Sequence, residues 1–529
     1  MNLKKNLILL IPYIFLAFFS FSINHWTGSR GLFPIDTFVH FDSAVRILKN
    51  ELPIRDFWIV HGLFVDIIQA FLFKLFGVNW QAYLMHGSIL NVIITLFTFK
   101  VFTEFKIEKI YSFILSVCVA TLAYPVSGTP FLDLHSAYLS LISMYLIMLF
   151  IKNDNYSNLF TSIIILGLAF FCKQVPAAYF IISTTLFIIY YSFCIKSFKP
   201  IKISFISLIF FLGIILMYLF LSGTNFTDFI MQLFIFPTSF GTGRYNDYQL
   251  NFHNVFYNFK FIYIVLFAMS GAFIVNLLKK NFINPKKEFS YFLIIIFFSI
   301  SLIFHQIYTK NQIFIFFLIP ILTAFFLYFL KNYQTKYKKI LFNFAILFCL
   351  ILTFKYHVRF NEIRKFHELS NTDISKAIEV NFNDSFFKGL KWITPNFKKP
   401  EKEIKIIEEF YINISKRNDK NMIISRYTFL SGLLNESVYA PSRTFDNISY
   451  PKLNSKYFDV YNNFFRKNII KNKIDNIFIF NPAFEFTEDN LNEVIFNYLP
   501  ETCYNVQDMN DYTKKIKIKE CNYLKKKNK

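Results

Sequence analysis

"NLILLIPYIFLAFFSFSI" (residues 6–23) is an apolar run of spanning length, and "RGLFPIDTFVHFDSAVRIL" (residues 30–48) follows it almost at once. The first stretch reads as a transmembrane helix, because the hydrocarbon core of a bilayer takes around 20 apolar residues. Lys4 and Lys5 before it resemble the start of a signal peptide, but "SINHWTG" offers no small-x-small cleavage site. A retained signal anchor is therefore expected. The second stretch sets Asp36, His40 and Asp42 just where the chain leaves the membrane. Acids and histidines at the end of a span call for a reason.

The rest of the chain supports a membrane reading. It has 529 residues, 54% of them hydrophobic, and a mean hydropathy of +0.40. That is too apolar for an ordinary soluble enzyme and long enough for many spans plus a soluble portion. The net charge of +22 could suggest nucleic acid, but much of it sits in short Lys clusters between apolar segments. No zinc-finger spacing, Walker loop or dinucleotide fingerprint accompanies it, so no nucleic-acid partner is expected.

Apolar runs at 7–24, 83–102, 110–124, 133–151, 159–173, 175–194, 202–222, 256–278, 289–307, 312–331 and 339–355 predict about eleven spans. The chain thus reads as an α-helical polytopic membrane protein with a C-terminal soluble α/β domain. Alternate short loops carry the lysines: Lys106 and Lys109; Lys152; Lys196, Lys199 and Lys202; Lys279, Lys280, Lys286 and Lys287; Lys331, Lys336, Lys338 and Lys339. The opposite loops "AYPVSGTPFL" and "YTKNQ" are nearly free of them. That asymmetry puts the N-terminus in the cytoplasm. It leaves the first loop (25–82) and the tail (356–529) outside, with residues 1–355 forming the membrane domain. Residues 62–77, short and carrying Asp66 and Lys74, read as an amphipathic helix at the interface.

The tail offers "KNMIISRYTFLSGLL" (420–434), a strand running into a helix, then a polar helix near 455–472 and the strand "IDNIFIFNP" (474–482). Its cysteines, Cys503 and Cys521, flank a hairpin-like stretch, and an even number in an external domain permits a disulfide. The cysteines at 118, 172, 194 and 349 lie in or beside spans and read as small apolar side chains.

Four readings of Asp36, His40 and Asp42 compete on the stretch alone: hydrated or helix-capping residues, an ion pathway, a metal site, or a general base. The rest of the loop favours the last. Asp36 follows "RGLFPI", a helix runs through Leu48, and "IRDFW" (54–58), "HG" (61–62) and "LFG" (75–77) come after it. This layout resembles the first periplasmic loop of GT-C fold integral-membrane glycosyltransferases, the superfamily of aminoarabinose–lipid A transferases and protein O-mannosyltransferases. The chain has Thr37 where that family often has Glu, and Gly62 where it has Pro. Two further places match the family: "TPFLDLHSAYLSL" (129–141), with Asp133 and His135, and "GLAFFCKQVPAAY" (167–179), with Lys173.

The resemblance implies a sugar transferase working at the outer face of a bacterial inner membrane, with the tail in the periplasm. A polyprenyl-phosphate-linked sugar would be the donor, and an envelope lipid, glycan or protein the acceptor. Asp36 would be the general base of an inverting displacement, with Asp42 and His40 nearby, and Lys173, His61 and Arg244 would hold the departing phosphate. A divalent cation bridging Asp36, Asp42 or His61 to that phosphate is compatible with the residue types. His305, Gln306 and Gln312, in "IFHQIYTKNQ" (303–312), and Arg244, Tyr245 and His253, in 234–254, are the outer-loop contacts to examine. An O-antigen polymerase or ligase, which also uses lipid-linked donors, and a secondary transporter are the alternatives. The spans show no internal repeat, which counts against the transporter.

Overall fold

The computed structural model describes residues 2–31, 34–123, 128–239, 251–309, 315–331, 333, 337–363, 369, 372–417, 419–445, 449–482 and 495–525; the side chains of 2–9, 34–36 and 384 are outside the description. In chain order the helices are α1 (Asn2–Gly28), α2 (Pro34–Leu48), α3 (Phe64–Phe76), α4 (Trp80–Glu104), α5 (Lys109–Leu122), α6 (Leu132–Asn153), α7 (Tyr156–Cys172), α8 (Gln174–Cys194) and α9 (Lys199–Ser222). After the short α10 (Phe226–Ile230) come α11 (Lys260–Leu278), α12 (Pro285–Thr309), α13 (Leu318–Leu330) and α14 (Lys338–His357). The C-terminal part adds α15 (Pro400–Ser415), α16 (Leu430–Leu434) and α17 (Phe458–Asn472), with strands β1 (Asn421–Ser425), β2 (Asn476–Phe480), β3 (Tyr504–Asn510) and β4 (Thr513–Ile518).

Each apolar run read from the sequence coincides with a helix. Among the described residues seven of these helices are long and apolar enough to cross a membrane, and α5, α7 and α13 are shorter. The chain divides into two compact units. One comprises 1–28, 87–217 and 244–366; the other 29–86, 218–243 and 367–529.

The first unit is the apolar bundle. Its centre is α6, 83% of whose spanning window is buried, whereas α9 is only 17% buried and exposes Phe205, Phe210 and Phe220. A lipid-facing helix keeps apolar side chains outward, since acyl chains solvate them as well as protein does. Between such helices apolar contact gives little selectivity, and polar side chains bridge backbones instead. Asn91 Nδ2 donates to Ser20 O at 3.1 Å and Ala120 O at 2.9 Å. Asn24 Nδ2 donates to Ser88 Oγ at 3.0 Å and Gly128 O at 3.2 Å. Gly128, at φ +80°, lies against Gly28 so closely that a Cβ there would sit 2.1 Å from the Gly28 Cα. Only glycine fits that backbone angle and that approach.

The second unit is α/β. Its four-stranded sheet runs in the order β1-β2-β4-β3. β1 pairs parallel to β2 (Ile423 opposite Phe478), and β4 pairs antiparallel to β2 (Ile477 opposite Ile516). Every residue of β1 and β2 is buried, which explains why both read as continuous apolar runs. On α15, Ile404, Ile407, Phe410 and Ile414 form one buried stripe, and Phe410 stacks on Phe480 at 4.0 Å between centroids. The early loop belongs to the same core: Phe38 of α2 meets Phe429 at 4.6 Å and Phe41 meets Phe386 at 5.2 Å. Cys503 and Cys521 form a disulfide, their Cα atoms 5.2 Å apart, closing the β3–β4 hairpin.

Candidate functional site

In the helical unit the chemistry converges on Lys173. The residue before a proline is pushed away from helical geometry, and Val175, before Pro176, is extended at φ −116° and ψ 136°. Lys173 is extended too, at φ −154° and ψ 134°, so α7 ends and α8 begins at this break. Its Nζ donates to Asp133 Oδ2 at 2.7 Å, and its backbone carbonyl accepts from Ser136 Oγ at 3.1 Å. The other carboxylate oxygen, Asp133 Oδ1, lies 3.0 Å from His305 Nε2. Lysine, aspartate and histidine side chains are 14%, 5% and 1% exposed.

Two helices and the break between two others therefore contribute one ionisable group each to a nearly dry cluster. Asp133 opens α6, Lys173 sits in the α7–α8 break, and His305 comes from the last two turns of α12. The sequence places His305 and Gln306 in a loop; both are helical and buried. The α12 helix continues past the apolar run because "HQIYT" keeps helical spacing and packs its polar face inward. Gln306 Oε1 is buried with no hydrogen-bond partner among the described residues. His135, buried on α6, brings Nδ1 within 2.8 Å of Phe131 O and so braces the start of its own helix.

In the α/β unit the acidic segment forms a second cluster. His40 Nδ1 lies 2.6 Å from Asp66 Oδ1, and Arg443 donates to Asp66 Oδ2 at 3.0 Å. His40 and Asp66 are wholly inaccessible to solvent. Burial lowers the His40 pKa and outweighs the pull of the Asp66 carboxylate in the other direction. A neutral imidazole then donates from Nδ1 to Asp66, leaving Nε2 without a partner among the described residues. Asp42, two residues further along α2, accepts from the Ser431 backbone N–H at 2.9 Å and its hydroxyl at 2.5 Å. Burial pushes Asp42 up to about 7 despite these donors. The His40 side chain thus ties α2 to Asp66 on α3, and Asp42 ties it to Ser431 in the C-terminal segment.

The Asp36 backbone lies in the first turn of α2, and its side chain is outside the described residues, as are Arg244, Tyr245 and Gln312. His61 occupies the bend before α3 and is partly exposed. His253 is exposed and stacks on Tyr257 at 5.0 Å between centroids. Among the described residues no three His, Cys, Asp or Glu side chains converge as metal ligands.

Asp66 and Arg443 carry the second cluster, yet the sequence reading gave Asp66 only an interfacial role and passed over Arg443. For Asp66 a signal existed. An acid four residues before Ala70, with Gln69 and Phe73 on the same face, cannot point to lipid without cost. Arg443 has no local pattern that marks it.

No family model matches the chain, and no curated protein matches it. Among solved structures it aligns with that of ArnT from Cupriavidus metallidurans bound to undecaprenyl phosphate. The identity is 10%, 98% of each chain is covered, and the TM-score is 0.47.

Proposed function

We propose that the chain is a membrane glycosyltransferase that takes its sugar from a polyprenyl-phosphate donor. The observation that carries this reading is the Lys173–Asp133–His305 cluster, at the position where the sequence resembles the lysine element of such transferases. A departing lipid phosphate gains negative charge as the glycosidic bond breaks. A cation held in a nearly dry break between apolar helices stabilises that charge far better than one in water. Asp133 holds Lys173 in place in the absence of phosphate, and His305 holds Asp133.

In this reading Lys173 turns from Asp133 to the phosphate, with Arg244 and His61 as further donors, and His305 keeps the freed Asp133 carboxylate from lying bare. Asp36 takes the proton from an acceptor hydroxyl or amine as that group attacks the anomeric carbon, inverting it. The acceptor is an envelope lipid, glycan or protein, and the reaction faces the periplasm. His40 and Asp42 act by fixing α2, which carries Asp36, and take no direct part.

The test is transfer of radiolabelled sugar from a polyprenyl-phosphate donor by the purified full-length protein. Turnover that survives in Lys173→Ala would remove the assignment. A buried Asp–Lys–His trio also suits a proton relay in a transporter; proton flux in vesicles with no sugar transfer would favour that reading.

A further inference from the structure

A second cleft, sharing no residue with either cluster, lies in the α/β unit. It has a volume of about 420 Å³, the size of small-molecule sites, and a mostly polar wall. Three cations line it: Lys49 from the end of α2, Arg417 just after α15, and Lys420 before β1. None of the three makes an ion pair among the described residues, and the Arg417 guanidinium sits over the Phe478 ring at 5.3 Å. Of the two lining acids, Asp419 already accepts from Asn476 Nδ2 at 3.2 Å. With three cations against two carboxylates, Asp419 and Glu436, the wall carries a formal charge of +1.

Its other face carries hydroxyl-binding and apolar character together. Glu436 and Ser437 offer polar atoms, and Tyr439 contributes a partly buried aromatic ring. Tyr439 adopts φ +48°, a left-handed conformation that an aromatic residue rarely takes and that costs backbone energy. The strain falls on a residue of the cleft wall, with Ala440 behind it buried in the core. Aromatic faces beside hydroxyl-binding side chains suit the C–H faces and hydroxyls of a sugar ring, while unpaired cations suit a negative charge on it.

We propose that this cleft binds an acidic carbohydrate, a sugar unit bearing a carboxylate or a phosphate. The inference concerns binding alone and stands apart from the transfer reading, so either can fail without the other. The experiment is calorimetric titration of the purified full-length protein in detergent with trigalacturonate, glucose 6-phosphate, maltotriose and inorganic phosphate. Binding of either acidic sugar is expected, about tenfold tighter than maltotriose and weakened by salt. Lys49→Glu and Lys420→Glu change exposed side chains and should leave thermal unfolding unchanged while lowering that affinity about tenfold or more. The proposal is overturned if neither acidic sugar binds, if maltotriose binds equally well, if inorganic phosphate binds as tightly as both acidic sugars, or if the two variants bind undiminished.

Discussion

Asp42 accepts two hydrogen bonds from Ser431, one from its backbone N–H and one from its hydroxyl, joining the loop after the first apolar helix to a segment nearly four hundred residues later. Both donors stay satisfied whether the carboxyl is ionised or neutral, so the contact itself tolerates the neutral form. Burial, by contrast, disfavours the charge.

That gives a pH dependence of known sign. The folded-state pKa of Asp42 is raised to about 7 from the ordinary 3.8. The stability tied to its neutral form is fully present below about pH 4 and is lost as pH rises through 7. Thermal unfolding of wild type should therefore weaken across that window by an amount on the order of a few kcal/mol. Asp42→Asn keeps the acceptor and removes the charge, so its unfolding curve should lack that slope. Unfolding profiles of the two proteins from pH 4 to 8 check this.

On the proposed reading, sugar transfer should distinguish the two aspartates of α2. Asp36→Asn is nearly isosteric and cannot take up a proton, so turnover should fall about 10²–10⁴-fold. Asp42→Asn should keep most of its activity. Steady-state rates on the same donor, with folding followed by size-exclusion profile, provide the measurement; equal losses in both would point to α2 as a purely structural element.

At Lys173, truncation to alanine leaves Asp133 buried with His305 as its remaining ionisable partner among the described residues. Removing one partner of a buried pair costs about 3–5 kcal/mol, so the melting temperature should drop with activity. Adding Asp133→Ala removes the stranded charge and should restore part of the stability and none of the transfer. A double-mutant cycle read in both stability and rate separates packing from phosphate binding.

Glu403 is a structural counterpart. Its buried carboxylate accepts from Trp392 Nε1 at 3.0 Å, Thr394 Oγ1 at 2.6 Å and Tyr427 Oη at 2.5 Å, while burial still raises its pKa. Glu403→Ala strands three donors and should cost about 2–4 kcal/mol, with Glu403→Gln falling between it and wild type. Denaturant unfolding monitored by tryptophan fluorescence reports it through Trp392.

The Cys503–Cys521 bridge closes a loop of sequence separation 18. Its removal by a double Ser substitution should cost about 3 kcal/mol through the freed unfolded chain. Loss should be confined to the α/β unit, which limited proteolysis can show.

What the sequence disclosed follows from which forces act locally. Apolar runs of spanning length, β1 and β2 as buried strands, and the α17 pattern are written in contiguous residues, so they were legible. Lys173 was legible as a motif, and Asp133 as an acid before a span. Their pairing with each other and with His305 depends on how three helices pack, which no single stretch encodes. For His40 and Asp42, too, the partners were not written locally. Acids and histidines in an outer loop look hydrated, and only the long-range partners Asp66, Arg443 and Ser431 reveal them as interior.

The α/β unit is assembled from three separated stretches, 29–86, 218–243 and 367–529. Translation delivers the first of them long before the last. Until the ribosome finishes, Phe38, Phe41 and Trp58 lack the tail aromatics that bury them, so the half-made loop is a sticky surface in need of a chaperone. A premature stop before Phe386 would thus remove the aromatic partners of Phe38 and Phe41 and spoil the beginning of the protein as well as its end.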